Sequence, residues 1–383
     1  MKHIHIALVS DQTIPNILAI HSLRPDRIVF VSTARMQEKK TTDAIISALR
    51  VNGIDYAGRH RVELVNQDSF DDCERKIKAI AAGLDGERVT VNLTCGTKVM
   101  SMAAFSVFRN TGARLIYTPI PRNEYIVIDE NPATEPVHPL PLRLDVRSYI
   151  TAYGVRISNM QEAEVLKERA RRGREFSGWI VRNYTEVENL LCAFCAELNR
   201  FDARNQANFN FSMNYQPRTK AESELLGRLG LRGGRIEKRL NRLETGFLTG
   251  DWLSDYCYDE LRKLGVDDCV TGVELIDKNG NPNEFDVMFT KDNALYIVEC
   301  KTLKQKGDKG ADILYKLSAL HDSFGLRVRS FLVSTSREQI LDRRKNTIKD
   351  HVQRRARQCG AEVIHPDDIL EFGAWIRSKV KGL

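Results

Sequence analysis

The sequence predicts an α/β protein: a parallel-sheet unit, then a helical stretch, then a second unit of mixed α and β structure. Three observations carry this. Short apolar runs at 4–9, 27–32, 61–65, 89–94 and 113–118 alternate with helical stretches at 41–51, 69–82 and 99–109. That rhythm calls for crossover connections and a sheet covered on both faces. Four prolines between Asn131 and Pro141 then close the unit, and from Asp251 onward strands return with hairpin turns between them.

The elements follow in order. After the fifth strand, 117–120 and 125–128 read as a hairpin. Residues 146–200 read as mainly helical, with many charge pairs four residues apart. An Asn-rich stretch, 205–214, reads as a polar loop, and 225–243 as a helical run broken at Gly233-Gly234. A helix at 251–264 precedes strands at 270–276, 284–290 and 294–301, joined by turns at Asn279-Gly280-Asn281 and Lys291-Asp292-Asn293. A helix at 311–323, a strand at 327–334, a long basic helix at 337–358 and a short strand at 362–364 complete the chain. This divides it into units at 1–145, 146–209 and 210–383.

Composition narrows the function classes. With 42% hydrophobic and 28% charged residues among 383, disordered and fibrous classes are excluded. No window approaches about 18 uncharged apolar residues, so no membrane span is expected. The start, Met1-Lys2-His3-Ile4-His5-Ile6, alternates like a strand and lacks the apolar centre of an export signal, which predicts a cytoplasmic chain. The eight cysteines are scattered, and Cys192-Ala-Phe-Cys195 has no second pair at metal-ligand spacing. Free thiols are expected. The net charge is +7, and residues 1–145 hold 18 Lys and Arg against 17 Asp and Glu, so nearly all the excess lies beyond them. Basic clusters at 167–174, 232–242 and 343–357 point to a nucleic-acid partner for the second half.

In an open parallel sheet, ligands bind outside the carboxyl ends of the strands. Those ends carry Ser10-Asp11-Gln12-Thr13, then Thr33, then Thr94-Cys95-Gly96-Thr97-Lys98. Gly96 lets backbone approach a ligand, the helix that follows favours an anion, and Lys98 adds a full charge. The glycine spacing is neither that of a dinucleotide fingerprint nor that of a P-loop, so NAD and ATP are disfavoured.

In Ala294-Leu295-Tyr296-Ile297-Val298-Glu299-Cys300-Lys301, Glu299 and Lys301 share a face with Leu295 and Ile297. A carboxylate and a lysine ending an apolar face are poor core material. Asp286, on the preceding strand with Glu284 and Met288 on its face, can approach Glu299 through the hairpin. Two carboxylates and a lysine would hold a hard divalent cation and place a water for attack on phosphorus.

The 1–145 motifs resemble the CARF domains of type III CRISPR accessory proteins, with Cys95 where that family usually has glycine. The resemblance implies a Rossmann-like fold and a homodimer binding one cyclic oligoadenylate, cyclic tetra-adenylate, across its two-fold axis. Ser10, Asp11, Gln12, Thr13, Thr33, Thr94, Gly96, Thr97 and Lys98 then become ligand contacts. Asp286 followed by Glu299-Cys300-Lys301 resembles the PD-(D/E)xK superfamily of restriction-endonuclease-like α/β/α folds. That implies Asp286 and Glu299 as ligands of Mn²⁺ or Mg²⁺, the Cys300 carbonyl completing the shell, and Lys301 acting on the water. An added acidic ligand after Trp252-Leu253 would be Asp255, with Asp259 a turn later, and Lys316 or His321 could meet phosphate. Together these imply an activated nuclease cutting DNA or RNA. Two other readings stay open: a metal-independent HEPN-type ribonuclease using Arg344 and His351 on one helical face, and a regulator that binds nucleic acid without cutting.

Overall fold

The computed structural model describes residues 1–120, 122–128, 137–276, 280–302, 324–342 and 344–383. Its first sheet has seven strands in the order β3-β2-β1-β4-β5-β6-β7. The first five are parallel: β1 (His3–Leu8), β2 (Arg27–Ser32), β3 (His60–Leu64), β4 (Arg88–Asn92) and β5 (Arg114–Tyr117). Helices α1 (Ile14–Leu23), α2 (Ala34–Glu38), α3 (Thr41–Val51), α4 (Phe70–Ala82) and α5 (Lys98–Phe108) connect them. An antiparallel extension, β6 (Glu124–Val127) and β7 (Val137–Pro139), completes the sheet. The strand order reverses between β1 and β4. That switch point opens a crevice at their carboxyl ends, where the ligand loops were expected.

Central β1 buries His5 completely, and neither ring nitrogen has a hydrogen-bond partner among the described residues. Burial holds its pKa down, to about 3 from an ordinary 6.5. The unfolded chain therefore takes up a proton that the folded chain refuses, and stability falls as pH drops below 6.5. Between pH 6.5 and 5 we expect a loss of about 2 kcal/mol from this residue. Thermal unfolding of wild type and His5→Gln across pH 5–8 checks this: the variant should show the shallower pH slope.

The second sheet has six strands in the order β17-β14-β13-β12-β11-β8. Its short edge strand β8 (Arg156–Ile157) follows α6 (Val146–Thr151), and the long helices α7 (Met160–Arg182) and α8 (Tyr184–Arg200) come next. Helix α7 packs along α11 (Trp252–Lys263) and against β11 (Asp268–Ile276). The helical stretch after 146 is thus built into the second unit. Strands β12 (Pro282–Lys291) and β13 (Ala294–Lys301) continue the sheet antiparallel, then β14 (Val328–Ser334) and β17 (Ala361–Val363) run parallel to β13. One apolar cluster runs from α1 and α3 through Tyr149 and Ile150 of α6 to Met288, Leu295 and Leu332. The two sheets share a core through α6.

Three expectations fail. Residues 208–215 form a strand, β9, antiparallel to β10 (Gly234–Asn241), where a loop and a helix were expected. In β9 Asn208, Asn210, Ser212 and Asn214 alternate with Phe209, Phe211, Met213 and Tyr215, so one face packs and the other stays wet. Helix α9 (Lys220–Arg228) stops well before Gly233-Gly234, and α10 (Arg242–Gly246) starts only after the strand. The long basic helix is interrupted too: a turn at 344–346, with Asn346 at φ 50°, separates Arg337–Ile340 from the helix Asp350–Gln358. The helix expected at 311–323, with Lys316 and His321, lies outside the described residues.

Candidate active site and ligand loops

The second-unit site is made by a break in the β-pleat. Strand β12 pairs with β13 from Lys291 to Val287, and one step further would set Asp286 opposite Glu299. There the strands part, while β12 stays paired with β11 beyond Gly272, whose φ is 60°. The pleat changes phase at this point: Phe285 and Met288, three apart, enter one core cluster while Val287 enters the other. Asp286 therefore does not simply share a face with Met288; it sits in the fork. The Cys300 amide donates to Asp286 Oδ2 at 2.7 Å, holding the carboxylate across the gap.

Glu299 is 4% exposed, and Lys301 Nζ lies 2.7 Å from Glu299 Oε1 and 3.6 Å from Asp286 Oδ2. The expected trio converges. Burial first, and then the Glu299 charge, push Asp286 up to about 7. Both carboxylates in turn raise Lys301 above its ordinary range despite its burial. One ammonium thus serves two carboxyl groups.

The acidic side chain that adds to this field is Asp251, which sequence reasoning passed over. Behind burial and the nearer carboxylates, its charge adds to the upward push on Asp286 and Glu284. A widened helical turn, Phe247–Asp251, carries it, and Gly250 at φ 139° lets the backbone meet Thr302 just after β13: Thr302 Oγ1 occupies the place a Cβ would take. Arg169 of α7 donates from Nη1 to Asp251 at 2.9 Å, and Arg204 also pairs with Asp251. Asp255 is turned elsewhere. Arg169 donates to both its oxygens, at 3.0 and 2.8 Å. Asp259 pairs with Lys263 at 2.8 Å. Because Asp255 is fully buried, Arg169→Ala would strand its charge and should cost about 3–5 kcal/mol. Urea denaturation measures this; Arg169→Lys, which keeps the charge but not the fork, should fall between.

Among the described residues no group of three His, Cys, Asp or Glu side chains is gathered into a metal cage. A half-buried and a buried carboxyl group side by side suit a divalent cation that keeps several waters and borrows substrate oxygens. Arg344 and His351 do not share a helical face, since Arg344 is in the turn and His351 in the following helix. All eight cysteines are free thiols.

At the first sheet, several expected contacts hold their own loops. Thr33 and Thr97 cap α2 and α5, accepting from the Met36 and Met100 amides at 3.3 and 3.2 Å. Thr94 Oγ1 donates to Asn92 Oδ1 at 2.5 Å and accepts from the Thr118 amide. Ser10 Oγ accepts from the Gln12 amide, and Asp11 pairs with Lys39. Cys95 is buried and its thiol donates to the Gln12 carbonyl at 3.2 Å, tying the two ligand loops together. Gly96, at φ 77°, packs against Leu8 and Met100. Lys98 opens α5 with its side chain in solvent. A groove of about 630 Å³ borders Thr33, Arg35, Gln67 and Lys76 at the same edge. A cavity of about 820 Å³ lies between α7 and β10, bordered by Arg169, Phe247 and Leu248.

Two family models match the chain: the Card1 CARF domain over residues 4–149 and the Card1-like endonuclease domain over 241–381. The chain is a Card1-type CARF nuclease. Solved structures agree in fold. Protein VC1899 from Vibrio cholerae is 18% identical, with 99% of this chain and 98% of that one aligned at a TM-score of 0.79. Can2 from Sulfobacillus thermosulfidooxidans, solved with cyclic tetra-adenylate, is 19% identical over 97% and 98%, at 0.75. A type III CRISPR defence DNA nuclease activated by cyclic oligoadenylate is 19% identical over 87% of this chain and 45% of its own, at 0.51. No curated protein sequence matches this CARF nuclease. No described helix is long and apolar enough to cross a membrane.

Proposed function

We propose that this CARF nuclease is a homodimer switched on by cyclic tetra-adenylate, cutting DNA or RNA with Mn²⁺ or Mg²⁺ in type III CRISPR antiviral defence. The convergence of Asp286, Glu299 and Lys301 in the β12–β13 fork carries the hydrolytic part. The fold shared with Can2, whose structure holds cyclic tetra-adenylate, supports the activator. The sensor would span 1–145 and the nuclease core 210–383, with 146–209 joining them and packing into the nuclease sheet through β8 and α7.

Asp286, Glu299 and the Cys300 carbonyl would hold the metal, which when bound polarises a phosphoryl oxygen and acidifies a water. Lys301 remains an ammonium at neutral pH, so it serves as a donor and not as a base. Its Nζ would orient the attacking oxygen and offset negative charge on the phosphoryl oxygens. Burial of Glu299 beside it keeps that ammonium from swinging into solvent.

Activation needs a route between the units, and Gln12 supplies a starting point. Its Oε1 accepts from the Leu326 amide at 3.2 Å, just ahead of β14. Tyr149 donates to the Phe324 carbonyl at 3.2 Å, and the Tyr153 ring fills the space beside Gly325. A ligand that takes Gln12 for itself would release this tie.

Chelation separates this reading from a metal-free ribonuclease. EDTA should abolish cleavage of labelled single strands, and Mn²⁺ or Mg²⁺ should restore it; cleavage persisting in EDTA would refute the proposal.

A further inference from the structure

The three basic clusters of the sequence have different fates in the fold. In the first, Lys167 pairs with Glu164, Arg171 and Arg172 with Glu168, and Arg169 with Asp251 and Asp255. In the second, Arg235 pairs with Glu237, Lys238 with Glu244 and Arg242 with Glu162. Apart from the exposed Arg174, Arg232 and Arg239, those cations each face a carboxylate of their own surface. The third cluster differs. Residues 337–358 hold eight Lys and Arg against three Asp and Glu. Arg344, Lys345, Arg354 and Arg357 are exposed, and none forms an ion pair among the described residues.

Position gives this charge a meaning. Lys301 is in register with Ser334, and the Thr335 amide donates to the Lys301 carbonyl at 3.0 Å. From that catalytic edge the chain runs through Arg337–Ile340 into a small hairpin, Leu341–Asp342 with Thr347–Ile348, whose turn carries Arg344 and Lys345. The Lys349 amide donates to the Ile340 carbonyl at 2.9 Å and closes the base of the hairpin. In the next helix Val352 and Ala356 are buried, which leaves Arg354 and Arg357 on the outer side. A row of cations, unpaired among the described residues, therefore follows in the chain directly from the edge that carries the reacting groups.

We propose that this turn and the outer side of the helix Asp350–Gln358 form the track that holds the phosphodiester backbone of the substrate strand as it enters the β12–β13 fork. The inference rests on the nuclease reading and names the surface that serves it. Contacts to phosphate position a strand without reading its sequence, so the track acts on affinity and its salt dependence.

The test uses the full chain carrying Glu299→Gln, so that bound strands survive. Binding of labelled oligothymidylate and oligouridylate is followed from 50 to 400 mM NaCl. One variant adds Arg344→Ser, Lys345→Ser, Arg354→Ser and Arg357→Ser; a control of equal charge adds Arg171→Ser, Arg172→Ser, Arg235→Ser and Arg242→Ser. At about 0.7 of slope for each phosphate contact on a single strand, the track variant should flatten log affinity against log salt by about 2 to 3. Affinity near 100 mM salt should fall at least tenfold, with the control unchanged. Equal slopes in both variants overturn the track. Wild-type cleavage measured in parallel separates the two claims: cutting with an unchanged slope removes only the track, and a flattened slope without cutting keeps the track and removes the nuclease.

Discussion

Asp286→Asn and Glu299→Gln should each lower activated cleavage by about a thousandfold or more, roughly 4 kcal/mol of transition-state stabilisation. Each substitution keeps the shape of the side chain and removes one of two carboxylates from the fork. In Asp286→Asn the new side-chain amide still offers a carbonyl oxygen to the Cys300 amide, so the β12–β13 junction stays closed. Stability should move the other way for this variant. A carboxyl pushed up to about 7 by burial and a like charge is costly to keep ionised, and the amide removes that cost. The melting temperature should be unchanged or raised while activity collapses, with cyclic tetra-adenylate still bound. Activity within tenfold of wild type would move the chemistry away from the fork.

The second large effect concerns the tie between the units. Gln12→Ala removes the acceptor for the Leu326 amide, and Tyr149→Phe removes the donor to the Phe324 carbonyl. Typical linkage between sites is 1–3 kcal/mol, a ratio of about 5 to 150 between activated and resting rates. Tyr149 is buried in the shared core and stands outside the ligand loops, so its variant should bind cyclic tetra-adenylate as wild type does. Both variants should narrow the ratio at saturating activator by about fivefold or more. Calorimetry and initial rates measure binding and ratio separately. An unchanged ratio in Tyr149→Phe would show that the signal travels another way.

The strands and helices of the first sheet were legible because apolar runs and crossovers leave few alternatives for a covered parallel sheet. The convergence of Asp286, Glu299 and Lys301 was legible as well: strand alternation and the Asp292-Asn293 turn, with φ of 50° and 58°, bring the 286 and 299 positions together. The misses have physical reasons. The β9 strand hides its alternation behind asparagines, which weigh toward loops in any local reading. The 344–346 turn has no glycine or proline to announce it, and Asn346 supplies the left-handed residue instead. Asp251 could not be chosen over Asp255 from sequence. That difference depends on the kink at Gly250, which brings Asp251 toward the fork, while Arg169, 82 residues from Asp251 in sequence, binds both carboxylates and takes both oxygens of Asp255. The hydroxyls of Thr33 and Thr97 cap their own helices, a role threonine fills at a helix start without any ligand.

The central claim is that one ligand and one metal together license cleavage. The most direct measurement follows labelled single-stranded DNA, single-stranded RNA and supercoiled plasmid with the pure wild-type chain, varying cyclic tetra-adenylate at saturating Mn²⁺. The account predicts negligible cutting without the activator and rapid cutting of at least one substrate with it. Equal rates in its presence and absence would contradict the account.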